Sequence, residues 1–253
     1  KDKLQLFQKP NLTIVTPSQW MADCARQSRV FQSHRIEVIP NAVETDVFDV
    51  APKAKAKKDL GIDPDAVTLL FGVENGNEKR KGFHQLIEVF RHCCRDPAIK
   101  ALIAKDRIRL ICFGHKNRQI AEIGIPAVEL GYLDSKEDVA KAYGAADLYL
   151  LPTLEDNFPN TVLEAMGCGT PVIAFDVGGI KEVITREKDG LLLPPGDLGE
   201  MAERIVELVA DHEKRHRMGS HARSVVEARY RLKVQAEAYV ELYRELAAGD
   251  GKS

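Results

Sequence analysis

The feature that most constrains this fold is a set of four short apolar runs, at residues 67–71, 108–113, 148–151 and 171–175. Each is nearly continuous and rich in β-formers, the pattern of parallel strands covered on both faces rather than of strands with one wet side. Between the runs lie helical periods. Phe83, Leu86, Ile87 and Phe90 share one helix face, as do Val139, Ala142, Tyr143 and Ala146. This alternation predicts an α/β fold built on a Rossmann-like, doubly wound parallel sheet. Ala127-Val128-Glu129-Leu130 adds a weaker strand.

The flanks read differently. Residues 12–16 and 35–39 have strand character, the second stopped by Pro40-Asn41, and Pro17-Ser18 opens a helix through Trp20, Met21 and Cys24. Residues 49–66, with Pro52, Gly61, Pro64 and the stretch Lys53-Ala54-Lys55-Ala56-Lys57-Lys58, read as a linker with one short helical turn and a solvated lysine face. The last third is helical, at 198–209, 212–229 and 232–246, before a tail at 249–253 expected to be disordered.

Bulk properties exclude several function classes. A net charge of −2 argues against a general nucleic-acid binder. The five cysteines form no CxxC pair, and Cys93 and Cys94 are adjacent, so reduced thiols in a cytoplasmic setting are expected. No apolar run has the length of a membrane span. The single Asp-x-Asp, Asp63-Pro64-Asp65, lies in the linker and reads as a turn, so no metal site is expected. The absence of G-x-S-x-G, HExxH, Walker A and G-x-G-x-x-G speaks against hydrolase, kinase and dehydrogenase chemistry. The first residue is Lys rather than Met, and a piece of a longer protein is expected.

Ligands of open α/β sheets bind beyond the carboxyl ends of the strands. The richest such loop follows Leu151 and runs from Pro152 to Gly169. Asn160 or Thr161 is placed to cap a helix whose first amides would form an anion site. Asp156 before that helix and Glu164 one turn into it would accept hydrogen bonds from sugar hydroxyls, although an ordinary helix start with two surface acids has the same pattern. The loop after Phe71 ends in Lys79-Arg80-Lys81-Gly82, a candidate diphosphate clamp. The loop Gly114-His115-Lys116-Asn117-Arg118 is a possible border of the same site, and His84 reads as a structural or surface histidine.

The segment Asp156-Asn157-Phe158-Pro159-Asn160-Thr161-Val162-Leu163-Glu164-Ala165-Met166-Gly167-Cys168-Gly169-Thr170-Pro171-Val172 resembles the acid-x7-Glu segment of the retaining glycosyltransferases of family 4. The resemblance extends to Lys81-Gly82-Phe83, Ala145-Ala146-Asp147, Gly178-Gly179-Ile180-Lys181-Glu182-Val183-Ile184, Asp189-Gly190-Leu191-Leu192-Leu193-Pro194 and Val38-Ile39-Pro40-Asn41-Ala42-Val43-Glu44, and so covers nearly the whole chain. It implies the carboxyl-terminal, donor-binding domain of a GT-B fold. The implied division is 1–45 for the end of the amino-terminal acceptor domain, 46–66 for the linker, 67–231 for the donor domain and 232–253 for a crossover helix and tail.

By position, the resemblance gives Glu164 to the ribose hydroxyls, backbone amides of Asn160, Thr161 and Val162 to the diphosphate, and Lys81 to the leaving phosphate. Asp156, with the backbone of Asn157, Phe158 and Pro159, would meet the donor sugar, and Tyr132 and Leu133 the base. The first acid of the family is usually Glu, so Glu155 stays a rival to Asp156. The Arg that commonly follows the glycine closing the first strand is absent, Gly72 being followed by Val73, and Arg80 is read as the second cation. The resemblance implies metal-independent transfer without a cofactor. The implied donor is a UDP- or GDP-linked sugar, and the implied acceptor a glycan or lipid-linked molecule, as in polysaccharide or lipopolysaccharide synthesis. By the same resemblance the acceptor would be held mainly by the rest of the amino-terminal domain, so this chain is expected to bind donor while turning it over poorly or not at all. The parent enzyme would touch the inner membrane face peripherally. A non-catalytic nucleotide-binding module and a GT-B phosphorylase are the alternatives.

Overall fold

The computed structural model describes residues 7, 12–73, 79–114 and 118–249. The readings made for His115, Lys116, Asn117 and the tail beyond Gly249 lie outside them.

The main sheet has six parallel strands: β3 (Val67–Val73), β4 (Ile108–Gly114), β5 (Ala127–Glu129), β6 (Leu148–Leu151), β7 (Val172–Phe175) and β8 (Gly190–Leu193). Their spatial order is β5-β4-β3-β6-β7-β8, so the chain winds outward from β3 to one edge, then returns to β6 and winds to the other. This is the doubly wound order of Rossmann-like domains, with a topological switch point between β3 and β6. Alternation along the strands sorts their side chains into two layers. Leu69, Phe71, Leu110, Cys112, Leu148 and Leu150 join the core under α3 (Phe83–Cys93) and α8 (Leu198–Ala210), which pack together. Leu70, Ile111, Tyr149 and Leu151 face the opposite core with α5 (Lys136–Ala145) and α6 (Asn160–Gly167). Both faces are covered, which is why these strands read as unbroken apolar runs.

β8 was not anticipated as a strand. Gly190 allows its close approach to β7, because a Cβ there would lie 2.7 Å from the Val172 carbonyl oxygen. A short α4 (Pro97–Ala104), capped by Asp96 through Ala98 N (2.8 Å) and Ile99 N (3.2 Å), is a second addition.

The lysine-rich stretch departs in part from expectation. It forms α2 (Lys53–Asp59), which keeps Lys55 and Lys58 in solvent as expected but packs its other face, with Ala56 and Lys57, on α5. Lys57 is buried, and its Nζ donates to Asp147 Oδ2 at 2.6 Å and to Ala66 O at 2.7 Å. Burial pushes the Asp147 carboxyl up, but Lys53 and Lys57 outweigh it and hold it below the usual carboxylate range. Asp147 also accepts from Thr68 N (2.9 Å), tying the starts of β3 and β6 together. One acid at the base of the sheet thus draws in lysines that the sequence pattern assigned to water. Asp63 forms the expected turn, accepting from Asp65 N at 2.9 Å.

At the amino end, β1 (Thr13–Thr16), α1 (Gln19–Gln27) and β2 (Arg35–Val38) make a small parallel β-α-β unit. The amphipathic α9 (His212–Arg229) covers the core around α6, and α10 (Leu232–Gly249) then crosses back to that amino-terminal unit. Gln235 Nε2 donates to Pro40 O (2.7 Å) and Arg35 pairs with Glu245 (2.5 Å). The short helix α7 (Ile180–Val183) lies between β7 and β8. Among the described residues, no helix is long and apolar enough to cross a membrane.

Candidate functional site

Strands diverge at a switch point, and their carboxyl ends leave a crevice there. In this chain the crevice is a cavity of about 510 Å³ beside the ends of β3, β4 and β6. Gly72, Phe113 and Leu151 form its floor, while Arg80, Lys81, Leu133, Thr161 and Glu164 bring polar groups to it.

Lys81 arrives by a tight turn. Residues Lys79–Lys81 form one 3-10 turn, and Gly82 follows with φ +78°, where any Cβ would run into the Pro152 carbonyl oxygen. Glycine is therefore required where the β3 loop passes over the β6 loop. Thr153 Oγ1 and Leu154 N both donate to Arg80 O at 2.8 Å, locking the two loops together. Lys81 Nζ then reaches Asp156 Oδ2 at 2.8 Å, with the acid side chain only 13% exposed. Glu155, one residue earlier, is exposed. Of the two rival acids, Asp156 thus pairs with Lys81 of the cavity wall, while Glu155 is turned to solvent.

Helix α6 begins at Asn160 with Pro159 as its N-cap, and no side chain caps it. The expectation that Asn160 or Thr161 would cap this helix is not met. Asn160 is already in the first turn, and its Oδ1 accepts from Asn41 Nδ2 at 2.9 Å. Amides at such a start lack partners in the preceding turn and favour an anion. Val162 is the exception to the expected trio, since its N–H already donates to Pro159 O at 3.1 Å and its side chain is fully buried. That leaves the amides of Asn160 and Thr161 at the helix start.

Glu164 stands one turn into α6, and burial raises its carboxyl to about 7. The nearby Tyr143 hydroxyl and Lys136 ammonium act in the other direction without cancelling the effect. The side chains of Tyr143 and Tyr149 are fully buried beside Glu164 and keep this wall of the cavity poor in solvent. A carboxyl here accepts strongly once a ligand supplies O–H donors.

The remaining predicted residues divide. Tyr132 stands at the cavity rim, 55% exposed, and Leu133 lines the wall. Phe158 does not face the cavity; its ring packs on Tyr230 at 5.8 Å between centroids, and its carbonyl oxygen accepts from Asn41 Nδ2 at 3.3 Å. The Asn157 side chain accepts from Ser18 Oγ at 2.5 Å, and its N–H donates to Asp156 Oδ1 at 3.0 Å. His84 is exposed on α3, outside the cavity lining. Sequence reasoning gave no role to Ser135, Lys136 or Tyr149, which also line the cavity, nor to Ser18, Asn41 and Glu182 around the 156–160 loop. Asn41 and Glu182 lie within the segments that carried the family resemblance, which was the one signal available for them.

With this geometry in hand, the family pattern of the glycosyl transferases group 1 matches residues 53–225. The chain belongs to that glycosyltransferase family. Over 221 residues it is 27% identical to N-acetyl-alpha-D-glucosaminyl L-malate synthase of Bacillus anthracis, a match covering 85% of this chain and 55% of that protein. Sucrose-phosphate synthase from Thermosynechococcus elongatus has the same fold, with a TM-score of 0.80 at 24% identity over 98% of this chain and 61% of that one. Anabaena HepE, crystallised with UDP and glucose, gives a TM-score of 0.75 at 21% identity, over 92% of this chain and 63% of that one. The chain spans about half the length of the curated relatives it matches. Its six-stranded parallel sheet is the Rossmann-like fold that it shares with those solved structures.

Proposed function

We propose that the chain is the donor-binding part of a retaining, family 4 type glycosyltransferase and holds a nucleotide-diphosphate sugar, UDP- or GDP-linked, in the switch-point cavity. The observation that carries this reading is that Lys81 and the half-buried Glu164 line one crevice at the carboxyl ends of β3 and β6, with Asp156 tied to its edge by the 2.8 Å ion pair to Lys81. In this assignment Glu164 accepts from the ribose hydroxyls, and Leu133, with Tyr132 at the rim, borders the base. The amides of Asn160 and Thr161, with Lys81 and Arg80, neutralise the diphosphate. Asp156 accepts from a hydroxyl of the donor sugar, on a loop shaped by Asn157, Phe158 and Pro159. The UDP and glucose held by HepE, a protein of the same fold, support the choice of ligand class.

Transfer with retention follows from front-face attack. The acceptor oxygen bonds to the anomeric carbon as the bond to the phosphate oxygen breaks, and the acceptor proton passes to that phosphate. Lys81 and Arg80 stabilise the charge that develops on the leaving group. This chemistry calls for no metal and no cofactor. Residues 1–45 are assigned to the end of an acceptor domain, 46–66 to the connection, 67–231 to the donor domain and 232–253 to the crossover helix and tail. The acceptor, a glycan or lipid-linked molecule, is held by the remainder of the acceptor domain at the cytoplasmic membrane face. The chain by itself therefore binds donor but turns it over poorly.

Thermal melting against UDP-, GDP- and ADP-sugars tests the reading. The matching donor raises the midpoint through selective binding to the native state. No shift with any of the three at millimolar concentration refutes it.

A further inference from the structure

The loop that carries Asp156 is held from two sides, and one side does not belong to the donor domain. Asn157 O accepts from Gly179 N at 2.9 Å, and a Cβ on Gly178 would run into Asp156 O, so the Gly178-Gly179 pair lets α7 approach the backbone of the sugar loop. From the opposite side comes Ser18, fully buried, whose Oγ donates to Asn157 Oδ1 at 2.5 Å. A Cβ on Gly179 would stand 2.8 Å from Ser18 Cβ, so the three chain segments meet at one point.

Ser18 is the N-cap of α1, and its Oγ also accepts from Met21 N at 3.1 Å. The first turn of α1 contains no acid of its own. The carboxylate comes instead from Glu182. Its Oε2 accepts from Gln19 N at 2.7 Å and its Oε1 from Trp20 N at 2.8 Å, a two-pronged cap on amides that otherwise have no partner. Glu182 is in turn held firmly. Its neighbours Ile180 and Val183 are buried in the core, and its carbonyl oxygen accepts from Tyr230 Oη at 3.1 Å. Five residues, Gly178 to Glu182, thus both support the sugar loop and grip the helix that presses on it.

We propose that Glu182 is a positioning residue for the donor-sugar loop: by fixing the amino end of α1 it sets Ser18 against Asn157 and so orients Asp156. This rests on the reading above, in which Asp156 engages the sugar. The base and ribose part of the site is built separately: among the described residues, the side chains of Glu164 and Leu133 make no hydrogen bond to α1 or to Glu182. Lys81 is the one shared group, through its 2.8 Å pair with Asp156, and a displaced Asp156 releases it to the diphosphate, so loss of Glu182 weakens sugar recognition without weakening nucleotide recognition.

The test is a calorimetric titration of the wild-type chain, Glu182→Ala, Glu182→Gln and Ser18→Ala with UDP, UDP-glucose, GDP and GDP-mannose. For the base that the wild type binds, Glu182→Ala and Ser18→Ala weaken the nucleotide sugar by about tenfold and do not weaken the free diphosphate. Glu182→Gln, which keeps one acceptor oxygen, falls between wild type and Glu182→Ala. Equal weakening of both ligands, or none, overturns the proposal. Amide hydrogen exchange without ligand supplies a second arm: Glu182→Ala and Glu182→Gln speed exchange at Asn157 and Gly179 as well as at Gln19 and Trp20. Acceleration confined to α1 overturns the transmission from helix to loop. A wild type that binds none of the four ligands refutes the donor-site reading, while the exchange arm still decides whether Glu182 controls the loop.

Discussion

The carboxyl of Glu164 offers the sharpest test of the energetics inferred for the cavity. Burial raises it from an ordinary 4.5 to about 7. For an acid with this direction of shift the folded protein binds the proton more tightly than the unfolded chain. Its contribution to stability is complete below pH 4.5 and is lost as pH rises through about 7. The full effect is about 3 kcal/mol, of which about 2.5 kcal/mol falls between pH 5 and pH 8. Glu164→Gln keeps the shape of the side chain and removes the titration. Urea unfolding of both proteins at pH 5, 6, 7 and 8 therefore gives wild-type stability that falls relative to the variant by about 2 to 3 kcal/mol across the range. Parallel curves, or a wild type that gains on the variant with rising pH, refute the claim that this carboxyl sits in a poorly solvated wall. The same group links binding to protons. Ribose donors favour the ionised form, so nucleotide binding at pH 7 releases about half a proton, visible in calorimetry as a dependence on buffer ionisation enthalpy.

Three further outcomes follow. Lys81→Ala and Arg80→Ala each weaken nucleotide-diphosphate binding by about 10- to 100-fold, and unchanged affinity in both removes the clamp. Asp156→Asn frees Lys81 from its 2.8 Å ion pair. That variant binds free UDP or GDP about 3- to 10-fold more tightly while losing affinity for the nucleotide sugar, and a parallel loss of both ligands contradicts the assignment. Asp147→Asn leaves the Lys57 ammonium buried without its counter-charge and lowers stability by about 3 to 5 kcal/mol in chemical denaturation; a loss below about 1 kcal/mol shows that Lys57 escapes to solvent.

Much of this protein could be read before its structure. The strands β3, β4, β6 and β7 stand out because burial on both faces demands unbroken apolar runs, and helix α9 fell on the predicted 212–229, where Asp211 accepts from Lys214 N as its N-cap and Tyr230 closes it. β8 escaped because Gly190-Leu191-Leu192-Leu193 has no β-branched residue and owes its strand form to pairing with β7. Lys81, Asp156 and Glu164 were legible as a cluster because each follows a strand at the same end of a parallel sheet, and that end is set by topology.

Local sequence alone determined the periodicities, the sheet class and the set of polar loops at its carboxyl edge. It could not determine which groups meet across distance. The Lys53-to-Lys58 run reads as solvated until Asp147, some 90 residues on, supplies the counter-charge that makes burying Lys57 favourable. Asp156 and Glu155 are equivalent in a string of letters, and the turn at Gly82, which carries Lys81 over Pro152, decides that Asp156 is the one that pairs with Lys81. Glu182 has no local reason to matter, because the amides it caps belong to a helix more than 160 residues earlier in the chain. Periodicity is a property of neighbours along the chain, whereas charge pairing, capping and desolvation depend on neighbours in space, and those exist only once the sheet has brought the segments together.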